Sequence, residues 1–206
     1  MNKKIRNVCL IVIALLVFFV VIPFFNRGQN EDSEAVIYPL YDTKYEDTIG
    51  DTNHVALFDE KLEFPMPMKD LPDAFHIEKR YYDDMTDGIE AGDSFQCELL
   101  NASDEPVAYI KVTNQKKNTV TSPDDMVITY MVASSFKADD KQYAVPFVIQ
   151  KGIGIGSSAA EVKAVFPDAD IPDNDDYSVV NVDSGIMKIT LEFVDQTVYK
   201  MSVSSY

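Results

Sequence analysis

The chain has 206 residues, with 34 Asp and Glu against 18 Lys and Arg, for a net charge of −16. So acidic a polypeptide repels a phosphate backbone, which excludes nucleic acid as a partner. Its two cysteines fall in an apolar run (Cys9) and in an alternating strand pattern (Cys97), where they cannot pair within one chain. Stability therefore rests on a core, which about 145 folded residues are enough to bury.

The N-terminus carries Lys3, Lys4 and Arg6, then runs uncharged from Val8 to Phe25. Eighteen residues at 1.5 Å each just cross a hydrocarbon layer of ~30 Å. A cleavable signal is the rival reading. The run ends Ile22-Pro-Phe-Phe-Asn-Arg27 rather than in small residues, which favours an uncleaved anchor. The three basic residues before the span outweigh Arg27 after it, so residues 1–7 are expected in the cytoplasm, with the rest outside a cell membrane crossed once. Beyond Arg27 remain 14 basic residues (18 less Lys3, Lys4, Arg6 and Arg27) against all 34 acidic ones, a net of −20. That domain avoids the anionic headgroups it is tethered beside.

Residues 26–60 read as an acidic linker holding the domain off the membrane, with a short strand near Val55–Phe58. Residues 61–149 read as a first repeat with extra strands, and 150–206 as a second. In the first, Asp70-Leu71 with Phe75 predicts a short helix with Pro72 in its first turn. A hairpin follows, with Phe95, Cys97 and Leu99 facing in, then Ala108, Ile110 and Val112. Met126–Ala133 and Gln142–Gln150 read as further strands, the second bulged or at an edge because of Pro146.

The second repeat opens on Lys151-Gly-Ile-Gly-Ile-Gly-Ser-Ser158. Ser158 and Glu161 form a capping box, and Ala159, Val162, Val165 and Phe166 share one helical face before Pro167 stops it. Ile189, Leu191 and Phe193 then alternate inward, Asp195-Gln196 turns, and Tyr199, Met201 and Val203 return. Asp70, Ala108, Ile110 and Val112 match Glu161, Tyr199, Met201 and Val203 at an offset of 91, which reads as a tandem duplication. Gly154-Ile-Gly-Ser-Ser-Ala159 also fits a dinucleotide fingerprint, but Pro167 ends the helix before the required second parallel strand can follow. No cofactor is expected.

On Gly152–Val162 with Phe166, and on the closing hairpin through Val203, residues 63–206 resemble the tandem helix-plus-sheet architecture of the β-lactamase-inhibitor-protein-like group, and the half-domain is similar to the SmpA/OmlA lipoproteins. The resemblance implies protein-binding surfaces without a cofactor. It carries no inhibitory loop over residue by residue, and a membrane span stands where those lipoproteins have a lipid-modified cysteine.

No nucleophile–base set, zinc spacing or phosphate loop occurs in the sequence, so neither catalytic nor metal residues are assigned. Asp168, Asp170, Asp173, Asp175 and Asp176 crowd one loop, but Pro172 or Tyr177 stands where a calcium loop needs an oxygen ligand. The tyrosines and phenylalanines in strands read mostly as core. Tyr81 and Tyr82, in a loop, are the candidate partner contacts.

The resulting expectation is an α+β domain of two helix–hairpin repeats behind a transmembrane anchor, an extracytoplasmic, non-catalytic module binding a protein or cell-envelope component. A structural envelope protein without soluble ligand, or a hydrolase without a known signature, are the alternatives.

Overall fold

The computed structural model describes residues 37–39, 54–58, 60–82, 87–138, 141–173 and 176–206. The basic tail and apolar run (1–25) lie outside the described residues. Among the described residues no helix is long and apolar enough to cross a membrane.

From Ile37 to Tyr206 the structure is mostly antiparallel sheet with one α-helix among the described residues. In chain order its strands are β1 (Ile37–Pro39), β2 (His54–Leu57), β3 (Glu60–Glu63), β4 (Met66–Pro67), β5 (Phe75–His76), β6 (Ser94–Asn101) and β7 (Pro106–Thr113). There follow β8 (Val127–Ser134), β9 (Phe136–Ala138), β10 (Lys141–Ala144), β11 (Phe147–Val148), the helix α1 (Ala159–Val165), β12 (Tyr177–Asp183), β13 (Met187–Val194) and β14 (Thr197–Ser205). The main sheet runs β12-β13-β14-β8-β7-β6-β5, with β4 also paired to β8; two small sheets run β11-β2-β3 and β1-β10-β9.

Alternation decides which face of the main sheet is covered. Cys97, Ile110, Met131, Val203, Ile189 and Val182 are successive cross-strand neighbours over six strands, and all six are buried. Cross-strand neighbours share a face, so these six strands present one apolar surface to one core. Val55 and Leu57 of β2, Leu62 of β3, Phe147 of β11, and Val162 with Phe166 at α1 complete that core.

The start of residues 150–206 folds as its sequence reads. The Glu161 N–H donates to Ser158 Oγ at 3.3 Å, and the Ser158 N–H to Glu161 Oε2 at 2.7 Å. Phe166 ends the helix, its N–H bonded to the Val162 carbonyl. Asp195 and Gln196 both take positive φ, 47° and 61°, as a two-residue hairpin requires.

Other expectations are corrected. The helix read over Asp70–Phe75 is a single 3₁₀ turn, Met68–Asp70. Pro72 restricts the residue before it, and Leu71 is extended (φ −61°, ψ 126°), so the turn cannot propagate and Phe75 pairs with Asn101 in β5. The matching of the β6–β7 hairpin with β13–β14 also fails. Strands β6 and β13 run the same way with the same face buried, yet β7 and β14 lie on opposite sides of them. Two such hairpins cannot superpose.

Tyr199 does not face the core. A bulge sets Phe193 across from Val198 and Glu192 across from Lys200, leaving Tyr199 as the extra residue on the opposite face. Pro146 splits the strand read over Gln142–Gln150 into β10 and β11, in different sheets. The stretch read as linker supplies β1 and β2, the latter where a short strand was expected.

The glycine motif is structural. Gly154 bridges to Val148, and a Cβ added to it would lie 2.5 Å from the Phe147 carbonyl oxygen. Gly156 holds φ at 96° and donates its N–H to the Val198 carbonyl. Gly154→Ala is expected to cost about 1–3 kcal/mol in a denaturant titration, as overpacking against backbone does.

Candidate functional site

The face of the main sheet opposite the core is uncovered among the described residues. It carries the outward phase of every long strand: Gln96 and Glu98 from β6, Tyr109 and Lys111 from β7, Val132 from β8, Lys200, Ser202 and Ser204 from β14, Lys188 and Glu192 from β13, and Tyr177 and Asp183 from β12. Its charges are Lys111, Lys188 and Lys200 against Glu98, Asp183 and Glu192, three of each sign. The face is neutral on a chain of net charge −16.

Two hollows open on it. One of about 920 Å³ sits where the β6–β7 turn, the end of β8 and the start of β14 meet, lined by Phe58, Glu98, Val107, Tyr109, Val132 and Tyr199 among others. The second, about 580 Å³, lies mid-face between Gln96, Lys111, Tyr130 and Ser204. Tyr109 and Val132 wall both, so the two form one trough.

The polar groups around the trough hold each other. Tyr177 and Tyr199 both donate to Glu192 Oε2, at 3.0 and 2.9 Å, and Lys200 Nζ donates to Oε1 at 2.7 Å. The Tyr177 and Tyr199 rings lie 6.3 Å apart, tilted. On the other side Tyr109 donates to Glu98 at 2.9 Å, and the Arg80 guanidinium lies 3.8 Å from Glu98 and bonds Tyr81 Oη at 3.2 Å.

These contacts move each group further from neutrality. Burial raises the Glu192 carboxyl, but hydrogen bonds from Lys200, Tyr199 and Tyr177 outweigh it and hold it below the usual range. Burial, then the bond to Glu192, pushes the Tyr199 phenol up to about 12. The Glu98 bond raises Tyr109, and the Glu192 bond raises Lys200.

Of the residues expected from sequence, Tyr81 stands at the rim, in the 3₁₀ turn Lys79–Tyr81, tied to the trough through Arg80 and Glu98. Tyr81 and Tyr82 are both half-buried and packed against the core rather than freely exposed. In the acidic loop Asp168, Asp170, Asp173 and Asp176 are exposed, Asp173 is paired with Lys163 at 3.0 Å, and Asp175 lies outside the described residues. Among the described residues no three His, Cys, Asp or Glu are grouped to hold a metal ion. His76 bonds Asp104 at 2.9 Å, and His54 pairs across from Glu63. Tyr109, 56 % exposed, went unnoticed in the sequence; its signal is its phase, opposite to Ala108 and Ile110. No family model, curated protein or solved structure matches this chain.

Two outcomes follow. Burial pushes the Cys97 thiol up to about 12, with Glu98 adding to the shift. In the full chain carrying Cys9→Ser, a thiol reagent should therefore label Cys97 only on unfolding. For Glu192 the folded carboxyl releases its proton more readily than the unfolded one, so its stabilisation is full above 4.5 and lost as pH falls through the folded value. The stability advantage of wild type over Glu192→Gln in chemical denaturation should shrink as pH drops from neutrality to below 4.5.

Proposed function

We propose that this is a membrane-anchored, extracytoplasmic, non-catalytic module that recognises a protein or cell-envelope component on the uncovered sheet face. The observation that carries the reading is a neutral trough rich in Tyr, Ser and Thr on an otherwise strongly acidic domain. Tyrosine offers large contact area at small conformational cost, and hydroxyls offer adaptable hydrogen bonds, the composition of surfaces that bind other molecules. Tyr81 and Tyr82 form the rim of that surface in this reading.

Two things speak against chemistry. A general acid or base works best with a pKa near the ambient pH. Around the trough Glu192 is shifted down and Tyr109, Tyr199 and Lys200 up, each deeper into its ordinary protonation state. The same groups already hold one another in hydrogen bonds and an ion pair.

We infer as well that the domain is a tandem duplication resembling the β-lactamase-inhibitor-protein-like and SmpA/OmlA architecture, with one half spanning β4 and the 3₁₀ turn through β6, β7 and β8, and the other Ser158 and α1 through β12, β13 and β14. The Met68 N–H donates to the Met126 carbonyl at 3.0 Å, and the Ala159 N–H to the Gln196 carbonyl at 2.8 Å. Met68 and Ala159 stand 91 residues apart, the offset read in the sequence. An approximate two-fold between β8 and β14 then pairs β6 with β12, β7 with β13 and β8 with β14, which preserves the buried face and reverses strand direction as such an axis must.

Crosslinking of the full chain in its native envelope, read by mass spectrometry, tests the binding reading. One dominant partner is expected, lost in Tyr109→Ala and in Lys111→Glu while the unfolding transition is kept. The same crosslinks in wild type and both variants would overturn it.

A further inference from the structure

The two edges of the main sheet are treated differently. At one end β5 is two residues long, the kind of short edge that offers little to pair with. At the other end β12 runs for seven residues, Tyr-Ser-Val-Val-Asn-Val-Asp, with an unbroken register against β13. It has no proline, no lysine and no bulge, the usual guards of an open edge. Among the described residues no strand pairs its outer side.

The direction of its free groups follows from one bond. The Asp195 N–H donates to the Asp176 carbonyl at 3.2 Å, in register with the β12–β13 ladder. Hydrogen-bonded pairs alternate along an antiparallel ladder, so Ser178, Val180 and Val182 exchange bonds with β13. Tyr177, Val179, Asn181 and Asp183 turn their N–H and C=O groups outward.

Apolar exposure gathers at the same place. Five large hydrophobic side chains are exposed among the described residues: Tyr109 at 56 %, Tyr177 at 53 %, Val179 at 49 %, Ile186 at 45 % and Tyr206 at 64 %. Tyr177 and Val179 are on β12, and Ile186 is in the turn that follows it. Tyr206 reaches Asp183 at its end through its hydroxyl. Four of the five thus lie along one edge and its C-terminal end.

We propose that the outer edge of β12 accepts an extended, basic segment of another protein as an added antiparallel strand. The backbone groups of Tyr177, Val179, Asn181 and Asp183 supply the ladder, and Tyr177 and Val179 flank it with apolar surface. Charge selects the occupant. Exposed Asp168, Asp170, Asp173 and Asp176 stand before the strand and exposed Asp183 at its end, while the nearby Lys163 is held by Asp173 and Lys188 lies over the Tyr206 ring at 5.0 Å. A second copy of this chain would bring the same carboxylates to the same edge at a net charge of −16 each, which disfavours self-pairing. The proposal goes beyond the open-face reading: it concerns the edge of the sheet, four strands from Tyr109, and stands if that reading fails.

The test uses the full chain in detergent micelles and a fluorescent nine-residue peptide alternating Lys with Val and Thr, beside its Glu-for-Lys counterpart. Expected are saturable binding of the basic peptide, at least roughly tenfold weaker binding of the acidic one, and slowed hydrogen exchange confined to the outward amides of Tyr177, Val179, Asn181 and Asp183. Val179→Pro removes an outward N–H without touching a β13 bond, so it should keep the unfolding transition and lose binding by at least roughly tenfold. Val179→Lys, which guards the edge by charge, should act the same way and decides the matter should the proline variant unfold. Equal binding of both peptides, protection elsewhere in the sheet, or edge amides already protected by concentration-dependent dimers would overturn the proposal.

Discussion

The ladder between β8 and β14 is the joint on which the rest of the structure depends. Five consecutive pairs, from Lys200 with Ser134 to Ser204 with Tyr130, connect segments some seventy residues apart in the chain. Without it β5–β8 and β12–β14 would be two small sheets, each with an apolar face too narrow to hold a core. With it Met131 and Val203 meet, and the buried row runs unbroken from Cys97 to Val182. A one-residue slip there would turn one half's apolar set to solvent, so burial itself locks the register.

That joint also determines what is left over. One seven-residue helix and the β11-β2-β3 sheet contribute to the core side, and among the described residues nothing covers the other face. An antiparallel sheet tolerates this because its outward side chains are polar or amphipathic. Here they satisfy one another, Glu192 by two tyrosines and a lysine and Glu98 by Tyr109 and Arg80, so the face is ordered and neutral before anything binds. Preorganised polar groups of this kind need little further ordering on binding, which lowers the cost of recognition.

How much of this was legible in the sequence depended on the range of each signal. The capping box at Ser158, the Asp195-Gln196 turn and the inward alternation of β13 are local, and all three appear as read. The offset of 91 recurs where the two proposed halves begin, at Met68 and Ala159. The hairpins were aligned one strand off, because β6, β7, β8, β12, β13 and β14 all alternate, and alternation does not say which strand is which. The first helix was lost because Pro72 acts on the residue before it, so a position tolerable inside a first turn also holds Leu71 extended. Tyr199 was misplaced by a bulge, which shifts phase by one and leaves no mark in composition.

The same reasoning explains why the proposed binding surface could not be found by looking for unusual residues. Tyr109 and Tyr177 sit in strands as ordinary as any that bury their tyrosines, and differ only in phase. Phase becomes meaningful once one knows which face is covered, and that depends on the β8–β14 pairing, which local sequence does not encode. Loop tyrosines such as Tyr81 and Tyr82 drew notice because loops are presumed exposed, yet the turn over Lys79–Tyr81 folds them onto the core. In a sheet with one covered face, the outward phase of the strands is the larger and better ordered surface. On so acidic a domain, a neutral face and an edge left bare among the described residues would, in the proposed reading, make recognition depend on shape and strand pairing near the sheet, and on charge only at its acidic ends.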